Sequence, residues 1–531
     1  MYARPMIAGI TLVAMAGVLC AIDPPLRALP PVTPGKSTTV VTGPLDKSGQ
    51  IDYESALNER MKGKTTPKTN AVVLLIKAIG PTPEGARLHK DYYNWLGTTK
   101  PPDEGTYLLW YLDFFGDDVR GEDLQALFDR DSELRTRPWT EKDEPKFADW
   151  LRANGPALKV VAEAARRPDY FYPFIARKPD GTRDVLIGSL LSTVQKTREV
   201  ASLLGLRVMY HCGAKKYDAA WQDVITLHRL GRLLSKGGSL IELLVGIAID
   251  AIARNAALRF LEASKPDAKR ALTYRDDLLK LPPLASVADK VDLSERFTFL
   301  DSAQAVRRNG VSALTELIGL ARGNFPEVPA EVVEATLFRL DWDRVLKTGN
   351  GWYDRMTTAL RKPTRAERQK ALAAIEVDLK RAKQDADFLA IVRDSADAAK
   401  RGAASDRAGD LLVNLLMPTV LKVSEASDRQ EVRFRTEVLA FALAAHFADH
   451  KKYPAKLADL VPKYAATIPD DIYSGKPLIY KPTATGYELY PVGPNEKDDG
   501  GQSLDDVPRG DDYGVRMPFV KRTPTPGDDR R

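Results

Sequence analysis

The sequence predicts a mainly α protein, a body of helical hairpins carrying a small α+β domain near its C-terminal end. Helical spacing of apolar residues prevails from Tyr53 to about Ser424, and alternating strand-like runs are scarce there. Beyond His450 the chain changes to short apolar runs broken by Pro, Gly and Asp, the punctuation of strands and tight turns. A chain of 531 residues also exceeds one ordinary core, so more than one domain is expected. The resulting division is a signal peptide or membrane anchor at 1–22 and a proline-rich linker at 23–50. A helical domain follows at 51–424, a second small domain at 425–510 and a disordered tail at 511–531.

The N-terminal segment has the layout of an export signal. Arg4 precedes the apolar run from Met6 to Ile22, and Asp23, Pro24 and Pro25 stop it. Ala14-Met15-Ala16 offers small residues for cleavage; an uncleaved run would remain as an anchor. Either way the chain is expected outside the cytoplasm, in the cell envelope: membrane-anchored through its N-terminus, periplasmic or secreted. Pro24, Pro25, Pro30, Pro31 and Pro34 then favour extended chain, as in a spacer. Apolar residues make up 44% and charged residues 28%, the balance of a globular protein. The net charge of +6, from 78 bases and 72 acids, is too small over this length to argue for nucleic acid. Cys20 and Cys212 are the only cysteines, which excludes a disulfide framework and a cysteine-based zinc site.

Within the body, Phe147, Trp150, Leu151, Leu158 and Val161 follow helical spacing. Gly155-Pro156 divides them into two short helices and Pro168 ends the second. The best-defined unit spans Thr193 to Ser235. One helix runs to about Cys212 and stops at Gly213; a second begins with Asp218 as N-cap. It carries Trp221, Val224, Ile225, His228 and Leu234 on one stripe and Ala220, Leu227 and Gly231 beside it. A helix apolar on two sides is sandwiched between neighbours. The stretch LGLRVMYHCGAKKYDAAWQDVITLHRLGRLL resembles a tetratricopeptide-type hairpin, with Gly213, Tyr217 and Ala220 near favoured positions. No second copy follows at a fixed period, so the resemblance implies repeat-like hairpins and not a repeat array. The runs LNERMKGKTTPKTNAVVLLIKAIGP and LIELLVGIAIDAIA are similar to a family of exported bacterial proteins without an assigned activity.

Candidate chemistry is sparse. His446 and His450 share a helix face at a spacing that can hold zinc, but Phe447 stands where a zinc protease has Glu. His211 and Cys212 are adjacent on a helix and so point apart. His228 reads as a packed, hydrogen-bonded histidine. Asp250 has Arg254 one turn on, which suggests an ion pair. Glu242 follows Ser239 by three residues, the spacing of a capping box. A buried Glu242, or another buried acid, is also the basis for a hydrolase acting on envelope polymers. The basic run from Arg361 to Lys383 is interspersed with Glu367, Glu376 and Asp378 and reads as a solvated helix face.

The last domain begins with a helix from about Asp428 to His450, with Val432, Leu439, Leu443 and Phe447 on one face. Pro477–Pro482 reads as a strand, Ala484-Thr485-Gly486 as a turn, and Tyr487–Tyr490 as a second strand. The runs HFADHKKYPAKLADL and IPDDIYSGKPLIYKPTATGYELYPVGPNEKDDGG resemble the head domain of the type II secretion major pseudopilin. The resemblance implies an α+β head and calcium bound by the loop after the last strand, here GPNEKDDGGQSLDD. Between Asn495 and Asp512 lie seven acids, and Gly500-Gly501 lets the loop wrap closely. Asn495, Asp498, Asp499, Asp505 and Asp506 are the candidate ligands. No prepilin-type cleavage site precedes the domain, which makes it a borrowed module. The expected function is an exported envelope scaffold or protein-interaction protein. An accessory of type II secretion or of a filament, and the Glu242 hydrolase, are the alternatives. The expected partners are envelope proteins, with the secretion machinery among them.

Overall fold

A computed structural model describes residues 30–519, apart from 84–87, 117–121, 178–181, 190–191, 321–327, 386, 418–419, 504–505 and 507. The signal segment, Asp505 and the end of the tail therefore lie outside the described residues. The chain is mainly helical, as its periodicity implies, with one small antiparallel sheet. Short helices come first: α1 (Tyr53–Lys62), α2 (Ala71–Ile79), α3 (Lys90–Leu96), α4 (Tyr111–Phe115), α5 (Glu122–Leu134), α6 (Pro145–Ala153) and α7 (Gly155–Ala164). Longer ones follow: α8 (Ser192–Gly213), α9 (Tyr217–Ser235), α10 (Leu240–Ser264) and α11 (Ala268–Leu279). Next come α12 (Val287–Lys290), α13 (Arg296–Leu320), α14 (Ala330–Arg339), α15 (Trp342–Leu360), α16 (Arg365–Asp385), α17 (Phe388–Ser395) and α18 (Arg401–Leu416). The last helix, α19, runs unbroken from Val420 to His450.

Starts are set by side-chain caps. Asn70, Asp267 and Asp341 accept the N–H groups of Val72, Arg270 and Arg344 at the openings of α2, α11 and α15. The α8–α9 turn is built on contact. A Cβ on Gly213 would collide with the Trp139 carbonyl, so glycine lets the turn sit on that backbone. Asp218 lies inside the first turn of α9 and binds Arg270 at 2.9 Å; the cap position belongs to Lys216. Gly231 of α9 and Gly246 of α10 face each other so closely that a Cβ on either would meet the other's carbonyl oxygen. Here α9 lies backbone to backbone on α10, and α8 also packs against it. This explains its two apolar stripes.

Two cores result. The first is formed by α2, α6–α11, the second half of α19 and the sheet. The second is formed by α1, α12–α18 and the starts of α10 and α19, through Leu240, Leu243, Val420 and Val423. Three features correct the expected division. The proline-rich segment is fastened to the body from Pro30 onward. Arg307 donates to the Pro30 carbonyl at 2.7 Å, Asn350 to the Thr38 carbonyl at 2.7 Å, and Tyr53 to the Thr39 carbonyl at 3.2 Å. The boundary placed at 424/425 falls inside α19, whose Leu439, Phe441 and Leu443 are buried in the first core with Trp221 and Phe260. And the expected tail holds a strand. Strands β1 (Ile479–Pro482) and β2 (Tyr487–Tyr490) pair as the turn residues imply, and β3 (Val515–Met517) adds to the far edge of β2. In register, Lys481 faces Glu488 and Glu488 faces Arg516. Among the described residues no helix is long and apolar enough to cross a membrane.

Trp221 is 3% exposed and its ring lies 4.5, 5.3 and 5.4 Å from those of Tyr274, Phe441 and Phe260. Trp221→Ala is expected to cost about 3–5 kcal/mol, read as a shifted urea midpoint with an unchanged slope. Wild-type stability in that variant would contradict the packing.

Candidate functional site

The segment between β2 and β3 folds back on itself as an acidic loop. Gly500 and Gly501 take φ values of +71° and +76°, which only glycine adopts without strain. A Cβ on Gly493 would fill the space of the Asp511 carboxylate. These glycines let Asp499, Asp511 and Asp512 converge, with one oxygen of each within 4.8 Å of the others. Asp512 is fully buried and accepts from the Gly493 and Gly501 amides at 3.2 and 2.8 Å. Asp499 accepts from the Asp511 amide and the Asn495 side-chain amide, each at 3.0 Å. Asp511 Oδ2 accepts from the Asn495 backbone N–H at 3.0 Å, while its Oδ1 is buried with no hydrogen-bond partner.

Electrostatics follow this geometry. Burial raises the pKa of Asp512, only partly offset by the two amides. Burial and the neighbouring Asp499 raise that of Asp511. The Asp511 amide and Asn495 hold Asp499 below the usual carboxylate range. The cluster thus concentrates negative charge around an oxygen that lacks a partner, a donor set that suits a hard cation. Of the residues anticipated as ligands, Asp499 is in the cluster and Asn495 braces it. Asp498 accepts from the Tyr490 hydroxyl at 3.1 Å and the Gly500 amide at 2.8 Å. Asp506 is engaged by Arg516 at 3.0 Å and by Ser503. Asp511 and Asp512 were not anticipated. Their signal was the Gly510-Asp511-Asp512 run, which β3 returns to the start of the loop.

The other chemically suggestive residues sit elsewhere. Glu242 is fully buried and closes the capping box with Ser239, receiving its amide at 2.9 Å. Asp250 does not pair with Arg254. It accepts from Arg232 Nε at 3.0 Å, His228 Nδ1 at 2.9 Å and Gln430. Arg254 instead donates to the carbonyls of Arg433 and Gly514 at 3.2 and 2.8 Å. His228 Nε2 reaches Glu437 at 3.1 Å, so both ring nitrogens face carboxylates. His446 and His450 contact the Lys452 carbonyl and the Tyr464 hydroxyl. Cys212 is buried in the core, which pushes its thiol up to about 12. A groove of about 710 Å³ lies between α10, α19 and the sheet; Leu261, Ala444, Phe447, Tyr453, Tyr487 and Met517 are among its lining residues.

Compared with protein-family models, curated proteins and solved structures, the chain matches none.

The buried imidazole generates a pH prediction. Burial alone would lower the pKa of His228; Glu437 and Asp250 outweigh it and raise it from 6.5 to about 9. Below pH 6.5 the ring is charged in both folded and unfolded chains, and its stabilisation is complete. From there to about pH 9 the native state binds the extra proton, so stability falls as pH rises. The loss is on the order of 3 kcal/mol, measurable as urea unfolding free energy against pH. His228→Gln should be less stable at pH 6 and lack this slope. An unchanged slope in the variant would contradict the assignment.

Proposed function

We propose that the protein is an exported envelope scaffold whose C-terminal, pseudopilin-like module is clamped by calcium. The convergence of Asp499, Asp511 and Asp512, together with an Asp511 oxygen that is buried without a hydrogen-bond partner, carries the reading. Calcium takes about 6–8 oxygens, and the three carboxylates with loop carbonyls are of the kind it prefers. The cation would cancel the mutual repulsion that raises Asp511 and would pin the loop to β3. The interaction role draws on the tetratricopeptide-like α8–α9 hairpin and on the groove beside α19. Its apolar lining and its charged Glu262, Lys265, Asp449 and Lys451 suit an amphipathic segment of an envelope protein. The filament-accessory reading has less support, because Val432, Leu439, Phe441 and Leu443 of α19 are buried inside the molecule. The hydrolase reading has less support because Glu242 is enclosed and used as a helix cap.

Calcium titrated into the whole chain is expected to release heat and to raise the melting temperature at millimolar concentration. Asp499→Asn with Asp511→Asn should abolish both effects. Absence of any heat or shift in the unmutated chain would remove the site. Export is checked separately: alkaline phosphatase fused behind the whole chain should be active only when Met6–Ile22 is present. Equal activity after that deletion would exclude an exported protein.

A further inference from the structure

On the opposite side of α9 from its glycine contact with α10, the molecule carries a second site of opposite charge. A cleft of about 450 Å³ is lined by Arg166 and Arg167 just beyond α7, by Arg229 and Arg232 of α9 with Lys236 at its C-terminal end, and by Pro282. No acid lines it. Arg229, Arg232 and Lys236 are spaced by three and four residues, which sets them on one helix face.

The charges of this cleft are not balanced by the protein. Arg232 is matched by buried Asp250 behind it. Arg167 donates to the carbonyls of Pro67 and Asn70 at 2.8 Å, and Lys236 to that of Pro168 at 2.8 Å. Those carbonyls satisfy N–H groups but leave the charge uncompensated. Among the described residues, neither Arg166 nor Arg229 has an ion-pair partner; Arg229 is half-buried and Arg166 exposed. Cations on a solvated helix face normally stand beside acids, as along α16, where Lys380 meets Glu376 and Arg381 meets Asp378. Here like charges are held together around a concavity, at a cost that a bound anion would remove.

A smaller cavity of about 210 Å³ shares Arg229 and Pro282 and is lined by Gln222, Ile225, Asp277, Lys280 and Leu281. Asp277 is already engaged by Trp221 Nε1 at 3.1 Å and Lys280 at 3.2 Å, and Gln222 adds an amide. This extension offers polar groups to a hydroxyl-bearing body, next to arginine forks that match a tetrahedral oxyanion. We infer that this cleft binds a phosphomonoester of a small polar molecule, with the phosphate on Arg166, Arg229 and Lys236 and the organic part toward Gln222 and Asp277. The inference is independent of the calcium reading, because the two sites share no residue.

The test is calorimetric titration of the whole chain with glucose 6-phosphate, inorganic phosphate and glucose. Phosphatidylcholine vesicles with and without phosphatidic acid form a parallel arm. The expected result is that glucose 6-phosphate binds more tightly than inorganic phosphate, that glucose does not bind, and that added salt weakens both. Arg229→Gln with Arg166→Gln should weaken binding by at least about tenfold, with a melting temperature no lower than that of the unmutated chain, because among the described residues neither side chain makes a hydrogen bond or ion pair and their removal relieves like-charge repulsion. No heat with either phosphate at millimolar concentration would overturn the proposal, as would binding that the double variant leaves intact. Inorganic phosphate binding as tightly as the ester would overturn the role of the extension. Capture by the phosphatidic-acid vesicles without binding of either soluble phosphate would overturn the small-molecule assignment.

Discussion

The buried charge network on α9, α10 and α19 is the constraint on which the rest of the arrangement depends. His228 and Arg232 come from α9, Asp250 from α10, and Gln430 and Glu437 from α19; all are buried. Taking ions out of water costs several kcal/mol each unless they are matched, so these helices can pack in only one rotation and register without stranding a charge. Apolar packing alone would not be so selective, because α9 is apolar on two sides and α10 nearly all round. Arg254 extends the constraint from α10 to the Gly514 carbonyl, immediately before β3. The loop that gathers Asp499, Asp511 and Asp512 is therefore positioned by the body of the molecule and not by a separate domain.

That dependence explains what could be read from the residues and what could not. Helices, their breaks at Gly155 and Gly213, the capping of α10 by Ser239 and Glu242, and the β1–β2 hairpin are local, and the local pattern sufficed. Asp250 has two arginines within reach of a sequence argument. Arg254 lies one turn along the same helix, but it is drawn away by backbone carbonyls, and the partner comes from the neighbouring helix. Glu437 lies 209 residues from His228 along the chain, and no spacing rule spans that distance. Proline-rich composition favours extended backbone. It does not say whether that backbone is free, and Asn350 and Arg307 settle the matter by binding its carbonyls. The three residues of β3 are too few to show an alternating pattern. Without β3, nothing in the acidic run distinguishes Asp511 and Asp512 from Asp505 and Asp506.

Charge is thus segregated between the interior and two surface regions. Inside, two cations and two carboxylates balance across His228, Arg232, Asp250 and Glu437. Outside, carboxylates collect at the β2–β3 loop and guanidinium groups at the end of α9. A net charge of +6 conceals both, because each is a local imbalance and they have opposite signs.

The shared core also determines how ligand binding is expressed. In a chain with a free-standing C-terminal domain, a cation on its loop would raise the melting of that domain alone, and the body would unfold independently. Here Leu489 and Val515 of the sheet belong to the same core as Phe441 of α19 and Trp221 of α9. Unfolding that core exposes the loop, so the binding free energy adds to the stability of the whole unit by mass action. The second core, around Trp342 and Tyr353, is tied to the module through Arg365, which binds Glu496 at 3.0 Å and stacks on Tyr473. A cation bound at the loop would hold Glu496 in place for this bond. The two cores are also joined by α19 and α10 themselves, since Val420 and Val423 of α19 and Leu240 and Leu243 of α10 lie in the second core while the later residues of both helices lie in the first.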